Sequence, residues 1–180
     1  MVDLIDLPRD SYGFVRRECS RCRRQFKTRP AAQDSVAIQR YLGRTLALAN
    51  GHELEGHAGM TCFYCGHRAA CDDWLTSAQQ AYLQRVSRVL AQHVRYEQMS
   101  HVTRTLSENP RPTYVPVRPG SLPAPMAPEQ DDMRRFHLIC CGDEVKAASG
   151  WEQAYFCPRC ATEHQNGMPR VRPQLQMVHE

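Results

Sequence analysis

The sequence predicts a small α+β protein: two cysteine-bearing modules of short antiparallel strands, one long amphipathic helix and a proline-rich linker. Three observations carry that reading. Most of the nine cysteines fall in closely spaced pairs, an apolar stripe at helical spacing runs through residues 76–99, and seven of the twelve prolines crowd into residues 107–132. At 180 residues the chain has room for one modest domain or two small ones. Its 23% charged and 42% apolar residues suit a globular protein, and no apolar run is long enough for a membrane span. Met1-Val2-Asp3-Leu4-Ile5-Asp6 has acids where an export signal needs bases, so the expected location is cytoplasmic. In that reducing compartment, cysteine pairs bind metal more often than they form disulfides.

The first module is drawn at residues 1–104. Cys19-Ser-Arg-Cys22 and Cys62-Phe-Tyr-Cys65-Gly66 are two C-x2-C pairs, the donor set of a tetrahedral zinc site. Each pair makes a tight turn that places two sulfurs on one side, and Gly66 can take the positive φ that closes such a turn. The 39 residues between the pairs exceed what a compact site needs, and a helix predicted over Ser35–Ala49 accounts for the insertion. The best helix covers residues 76–99. Thr76 and Gln79 form a capping box, and Leu83, Val86, Val89, Leu90, His93 and Val94 make its apolar face. That face is expected to pack on the cysteine module through Trp74, Tyr82 and Leu83.

Residues 105–132 read as an extended, partly polyproline linker. The second module is drawn at 133–168, with a tail at 169–180. Its donors are Cys157-Pro-Arg-Cys160 and Cys141, with the fourth ligand either Cys140 or His137; His164 is a weaker substitute. Strands Val145–Ala147 and Ala154–Phe156 are expected to flank a turn at Ser149-Gly150, over a small core of Phe136, Trp151 and Tyr155. So short a segment usually needs a metal to fold, and zinc supplies about 10 kcal/mol in such modules. Two Zn2+ per chain are expected.

The cysteine pairs resemble the zinc-ribbon superfamily. The layout is also similar to that of uncharacterised bacterial proteins carrying Phe14-x-Arg16-Arg17-Glu18-Cys19-x2-Cys22, then Cys62-Phe-Tyr-Cys65-Gly66, then Trp74-x-Thr76-x2-Gln79, with a second cysteine block near the C-terminus. The resemblance implies two ribbon modules and no assigned activity. Arg23 and Ala161 depart from it, because a glycine is common at both positions.

Enzyme signatures fail on spacing. His52-Glu53-Leu54-Glu55-Gly56-His57 places its second histidine one residue too late for a metalloprotease, and the deaminase, nucleotide-loop and serine-elbow patterns are absent. The sequence therefore reads as a non-enzymatic zinc protein without a small-molecule substrate, acting as a protein–protein adaptor. The alternative is nucleic-acid binding through Arg16, Arg17, Arg21, Arg23, Arg24, Lys27 and Arg29, which concentrate the formal charge of +4. Local neutralisation of a zinc–thiolate site would account for several of the same bases. Only two of the 23 basic residues are lysine, a bias attributed to GC-rich coding.

Overall fold

The computed structural model describes residues 5–46, 59–105, 116–165 and 168–170. The His52–His57 segment, the end of the helix expected to reach Ala49, residues 106–115 of the proline-rich stretch and the tail from 171 lie outside the described residues. Elements run β1 (Val15–Glu18), β2 (Gln25–Thr28), α1 (Ala32–Leu46), β3 (Met60–Thr61), β4 (Arg68–Ala69), a 3-10 turn (Cys71–Trp74), α2 (Ser77–Thr105), β5 (Arg134–Leu138), β6 (Asp143–Ala147), β7 (Tyr155–Phe156), β8 (Glu163–Gln165) and β9 (Met168–Arg170). The content is α+β, with short antiparallel strands and two helices among the described residues.

One sheet crosses the sequence-drawn modules. Its order is β1-β2-β6-β5, so the hairpin bearing Cys19 and Cys22 is hydrogen-bonded to the hairpin bearing Cys140 and Cys141. The cores join as well: Phe26, Phe63, Tyr64 and Trp74 pack in one cluster with Leu138, Val145, Ala147 and Tyr155. Sharing a core answers the surface-to-volume problem of two very small modules, since each supplies apolar area to the other.

The strand expected at 145–147 exists, but its pairing differs from the sequence reading. β6 pairs with β5 and β2, while β7 pairs with β8. The closing turn is Cys140-Cys141-Gly142, where Gly142 takes φ +65° and donates to the Leu138 carbonyl at 2.8 Å. Ser149-Gly150 turns the chain without joining two strands of one hairpin.

The capping box at the start of α2 forms reciprocally. Thr76 N–H donates to Gln79 Oε1 at 2.9 Å, and Gln79 N–H donates to Thr76 Oγ1 at 3.2 Å. Tyr82, Leu83 and Val86 then pack against Ile38 and Leu42 of α1. At 29 residues α2 is about 43 Å long, and no residue beyond Ser87 is buried among those described. Val94 and Val102 stand 42% and 45% exposed on that outer half.

Residues 116–132 take no regular structure, as their five prolines require, yet they are fastened along the fold. Leu122 and Met126 pack against the helical cluster, and Glu129 N–H donates to the Arg9 carbonyl at 3.0 Å. The segment is a strap laid over the sheet.

Candidate metal centres

The β1–β2 turn presents Cys19 and Cys22, and the β3–β4 turn presents Cys62 and Cys65. Their four sulfurs lie within 4.8 Å of one another, with Cys19 to Cys65 and Cys22 to Cys62 both at 3.7 Å. Cys19 and Cys62 are fully buried. Backbone N–H groups point at those two sulfurs, Cys22 N at 3.5 Å from Cys19 Sγ and Tyr64 N at 3.4 Å from Cys62 Sγ. That is the donor set and hydrogen-bonded frame of a closed tetrahedral thiolate site.

The second set is Cys140, Cys141, Cys157 and Cys160, again within 4.8 Å of one another. Cys157 is buried, whereas Cys140 and Cys160 are exposed. Of the two candidates for the fourth position, Cys140 joins the group. His137 is exposed on β5 opposite Glu144 and stands outside it. His164 is buried beside the set, its Nε2 3.2 Å from Cys140 Sγ. With eight thiolates and two divalent ions, the formal +4 falls to about zero.

Four turns share one backbone device. Arg23, Gly66 and Ala161 each follow the second cysteine of a pair, adopt φ of 60°, 68° and 61°, and donate N–H to the carbonyl of the first cysteine. Gly142 does the same toward Leu138. In this fourth turn, Cys141 holds the second-cysteine place and Leu138 stands where the first would be. Cys140, one residue before Cys141, supplies the missing sulfur, and that explains the adjacent pair.

Arg23 and Ala161 thus occupy left-handed backbone that costs an L-residue about 1–2 kcal/mol. Ala161→Gly is expected to raise stability by about 0.5–1 kcal/mol after the added chain entropy of glycine is discounted. Thermal unfolding of the metal-loaded chain measures it. Gly66 differs, because a Cβ there would meet the Phe156 ring at 3.1 Å.

Without metal the thiols hold their protons unevenly. Burial pushes Cys62 well above the ordinary thiol range, and it does the same to Cys140 together with the neighbouring sulfurs Cys160 and Cys157. Contact with Cys160, then burial, raises Cys141 to about 11. Burial works against the Cys160 thiolate, but hydrogen bonds from the Thr162 hydroxyl and N–H hold it at about 6. Loading either set must therefore expel protons, which makes metal affinity rise with pH.

The bases read as a nucleic-acid patch are distributed differently from their sequence order. Lys27 is fully buried within reach of Asp10 and Asp132, and it donates to the Gln130 carbonyl. Arg16 pairs with Glu129 at 2.6 Å and grips Asp132 through both oxygens at 2.7 and 2.8 Å. Arg17 is buried against Asp34, and Arg29 pairs with Glu144 at 2.7 Å. Arg24 lies over the Trp151 ring, Arg23 reaches Glu18 at 3.3 Å, and Arg21 is exposed.

Strand register sets Arg16, Lys27, Lys146 and Arg135 in one row across all four strands. Like charges side by side destabilise a sheet, so the row needs carboxylates over it. Asp10, fully buried, lies 2.7 Å from Lys146, and the strap contributes Glu129, Asp131 and Asp132. Despite its partial burial, Asp132 is held at about 2 by Arg16 and Lys27. The row contains both lysines of the chain. Both are buried, with their ammonium groups held by Asp10 and the strap carboxylates.

Sequence reasoning named the eight clustered cysteines. It missed Asp10 and the strap carboxylates, and it ranked His164 low. Glu129-Gln-Asp-Asp132, placed among prolines, is the one signal that could have revealed the strap's role. Cys71, in the 3-10 turn, is buried apart from both sets. No helix among the described residues is long and apolar enough to cross a membrane. No family model, curated protein or solved structure matches the chain. The two four-cysteine clusters are compatible with zinc-ribbon-like modules.

Proposed function

We propose that this is a non-enzymatic cytoplasmic zinc protein whose two zinc-ribbon-like centres hold one rigid scaffold, and that the scaffold serves as a protein–protein adaptor. The observation that carries this reading is closure. Each set brings four sulfurs together, which fills a tetrahedral zinc and leaves no position for water or substrate. Zinc is the metal of choice for four thiolates in a chain without electron-transfer features. The adaptor reading is supported by the outer half of α2, where Val94 and Val102 are exposed and none of the described residues beyond Ser87 is buried, and by the internal pairing of most bases near the first centre.

Nucleic-acid binding is the second reading. It is favoured by Arg21, Arg23 and Arg24, which crowd the exposed turn at Cys19–Cys22. One pair of measurements separates the two. The adaptor reading expects a stoichiometric complex that survives nuclease and is lost when Val94 and Val102 become glutamate. The nucleic-acid reading expects oligonucleotide binding that weakens steeply with added salt and is lost with Arg21→Glu. An oligonucleotide complex with that salt response, and no nuclease-resistant protein complex, would overturn the adaptor reading.

A further inference from the structure

Cys140 is the odd member of the second centre. In the other three turns, the first cysteine lies four residues before the left-handed residue that closes the turn. Leu138 fills that place here and is fully buried. The Cys140 sulfur must therefore reach the set from inside the turn. Backbone N–H groups steer Cys19 and Cys62, whereas the nitrogen reaching Cys140 Sγ is Nε2 of His164, at 3.2 Å.

His164 is built to stay where it is. Its side chain is fully buried, and its ring lies parallel to Tyr155 at 5.0 Å and 2°. Tyr155 in turn stacks on Phe63 at 4.9 Å and 17°. Strand register locks the pair, because His164 on β8 faces Tyr155 on β7. The other ring nitrogen, Nδ1, is buried and makes no hydrogen bond. A metal-bound thiolate can only accept. The nitrogen facing it must therefore carry the hydrogen, which leaves Nδ1 as a bare acceptor, the cheaper group to bury unpaired.

We propose that His164, fixed as the Nε2–H tautomer, donates a hydrogen bond to the Cys140 thiolate and is the positioning residue that brings this cysteine into the second metal centre. The role rests on the metal-centre reading. The donor offsets part of the negative charge of four thiolates at an exposed site and holds a sulfur that lacks the turn geometry of the other seven.

The test uses the full chain loaded with 113Cd2+ and labelled with 15N. In the wild type, His164 should show a proton on Nε2, Nδ1 unprotonated, and no one-bond coupling of either nitrogen to cadmium. His164→Phe keeps the ring stack and removes the donor. It should lower affinity at the second centre about 10–100-fold in chelator competition, leaving the first centre unchanged. His164→Gln, which places an amide N–H near the same point, should recover most of that loss. A proton on Nδ1, direct coupling to cadmium, or unchanged affinity in the folded phenylalanine variant would overturn the role. The tautomer reading needs no variant, so it stands if His164→Phe does not fold. A wild-type chain holding fewer than two Cd2+ would overturn the centre itself, a failure distinct from loss of the role alone.

Discussion

Cys62→Ser is expected to release metal from both centres, whereas Cys160→Ser should release it from the second alone. The difference follows from where each sulfur sits. Cys62 is fully buried in the shared core, and the turn it anchors is bonded directly to the second centre's turn. Thr61 N–H donates to the Pro158 carbonyl at 2.9 Å, and Phe156 N–H donates to the Phe63 carbonyl at 2.8 Å. Phe63, the next residue after Cys62, stacks on Tyr155 and packs on Phe136. Structural zinc contributes about 10–16 kcal/mol in small modules, comparable with the whole stability of a domain. A core deprived of the first metal cannot hold the sheet that presents Cys140 and Cys141. Cys160 is exposed at the rim, so its loss leaves the first centre and the aromatic core in place. Metal-to-protein ratio and near-ultraviolet circular dichroism of the two variants measure this. Equal loss of a single metal in both would show the centres to be independent.

Asp10→Asn should destabilise the metal-loaded protein by about 3–5 kcal/mol, the usual result of stripping one partner from a buried ion pair. Asp10 is fully buried, with Lys146 at 2.7 Å and Lys27 at 3.6 Å. Its other oxygen accepts the N–H groups of Tyr12 and Phe14 at 3.0 and 2.9 Å, and asparagine can keep that function. The substitution therefore isolates the charge. Asp131 and Asp132 remain over the lysines, but they are 37% and 42% exposed, and Asp132 is shared with Arg16. Denaturant unfolding followed by tryptophan fluorescence gives the magnitude. Amine acylation supplies a second readout. In the wild type neither lysine should react before global unfolding, because both ammonium groups are buried. In Asp10→Asn both should react through local opening of the strap. A cost below about 1 kcal/mol would place the row's neutralisation with the strap carboxylates instead.

What could be read from the sequence was local. The C-x2-C pairs announce their sulfurs because turn and ligand lie within four residues, and the capping box at Thr76 and Gln79 does so for the same reason. The union of the two cysteine units was hidden. β2 reads Gln-Phe-Lys-Thr and β6 reads Asp-Glu-Val-Lys-Ala, and each turns a lysine into the protein. An inward lysine breaks the alternation by which a half-buried strand is recognised. Its justification lies with Asp10 and residues 129–132, far away in the chain. Prolines at 123, 125 and 128 correctly exclude helix and central strand, but composition does not show whether such a segment hangs free or lies on a surface. Cys140 was ambiguous because its turn departs from the pattern of the other three at Leu138. Only the placement of β8 shows what holds its sulfur.

Eight of the nine cysteines should form two four-sulfur metal centres within one core. Native mass spectrometry of the full chain, with elemental analysis of the same sample, tests it most directly. Two zinc ions per chain are expected, falling to one in Cys140→Ser and in Cys141→Ser and remaining two in His137→Ala. One ion or none in the wild type, or loss of an ion in His137→Ala, would contradict it.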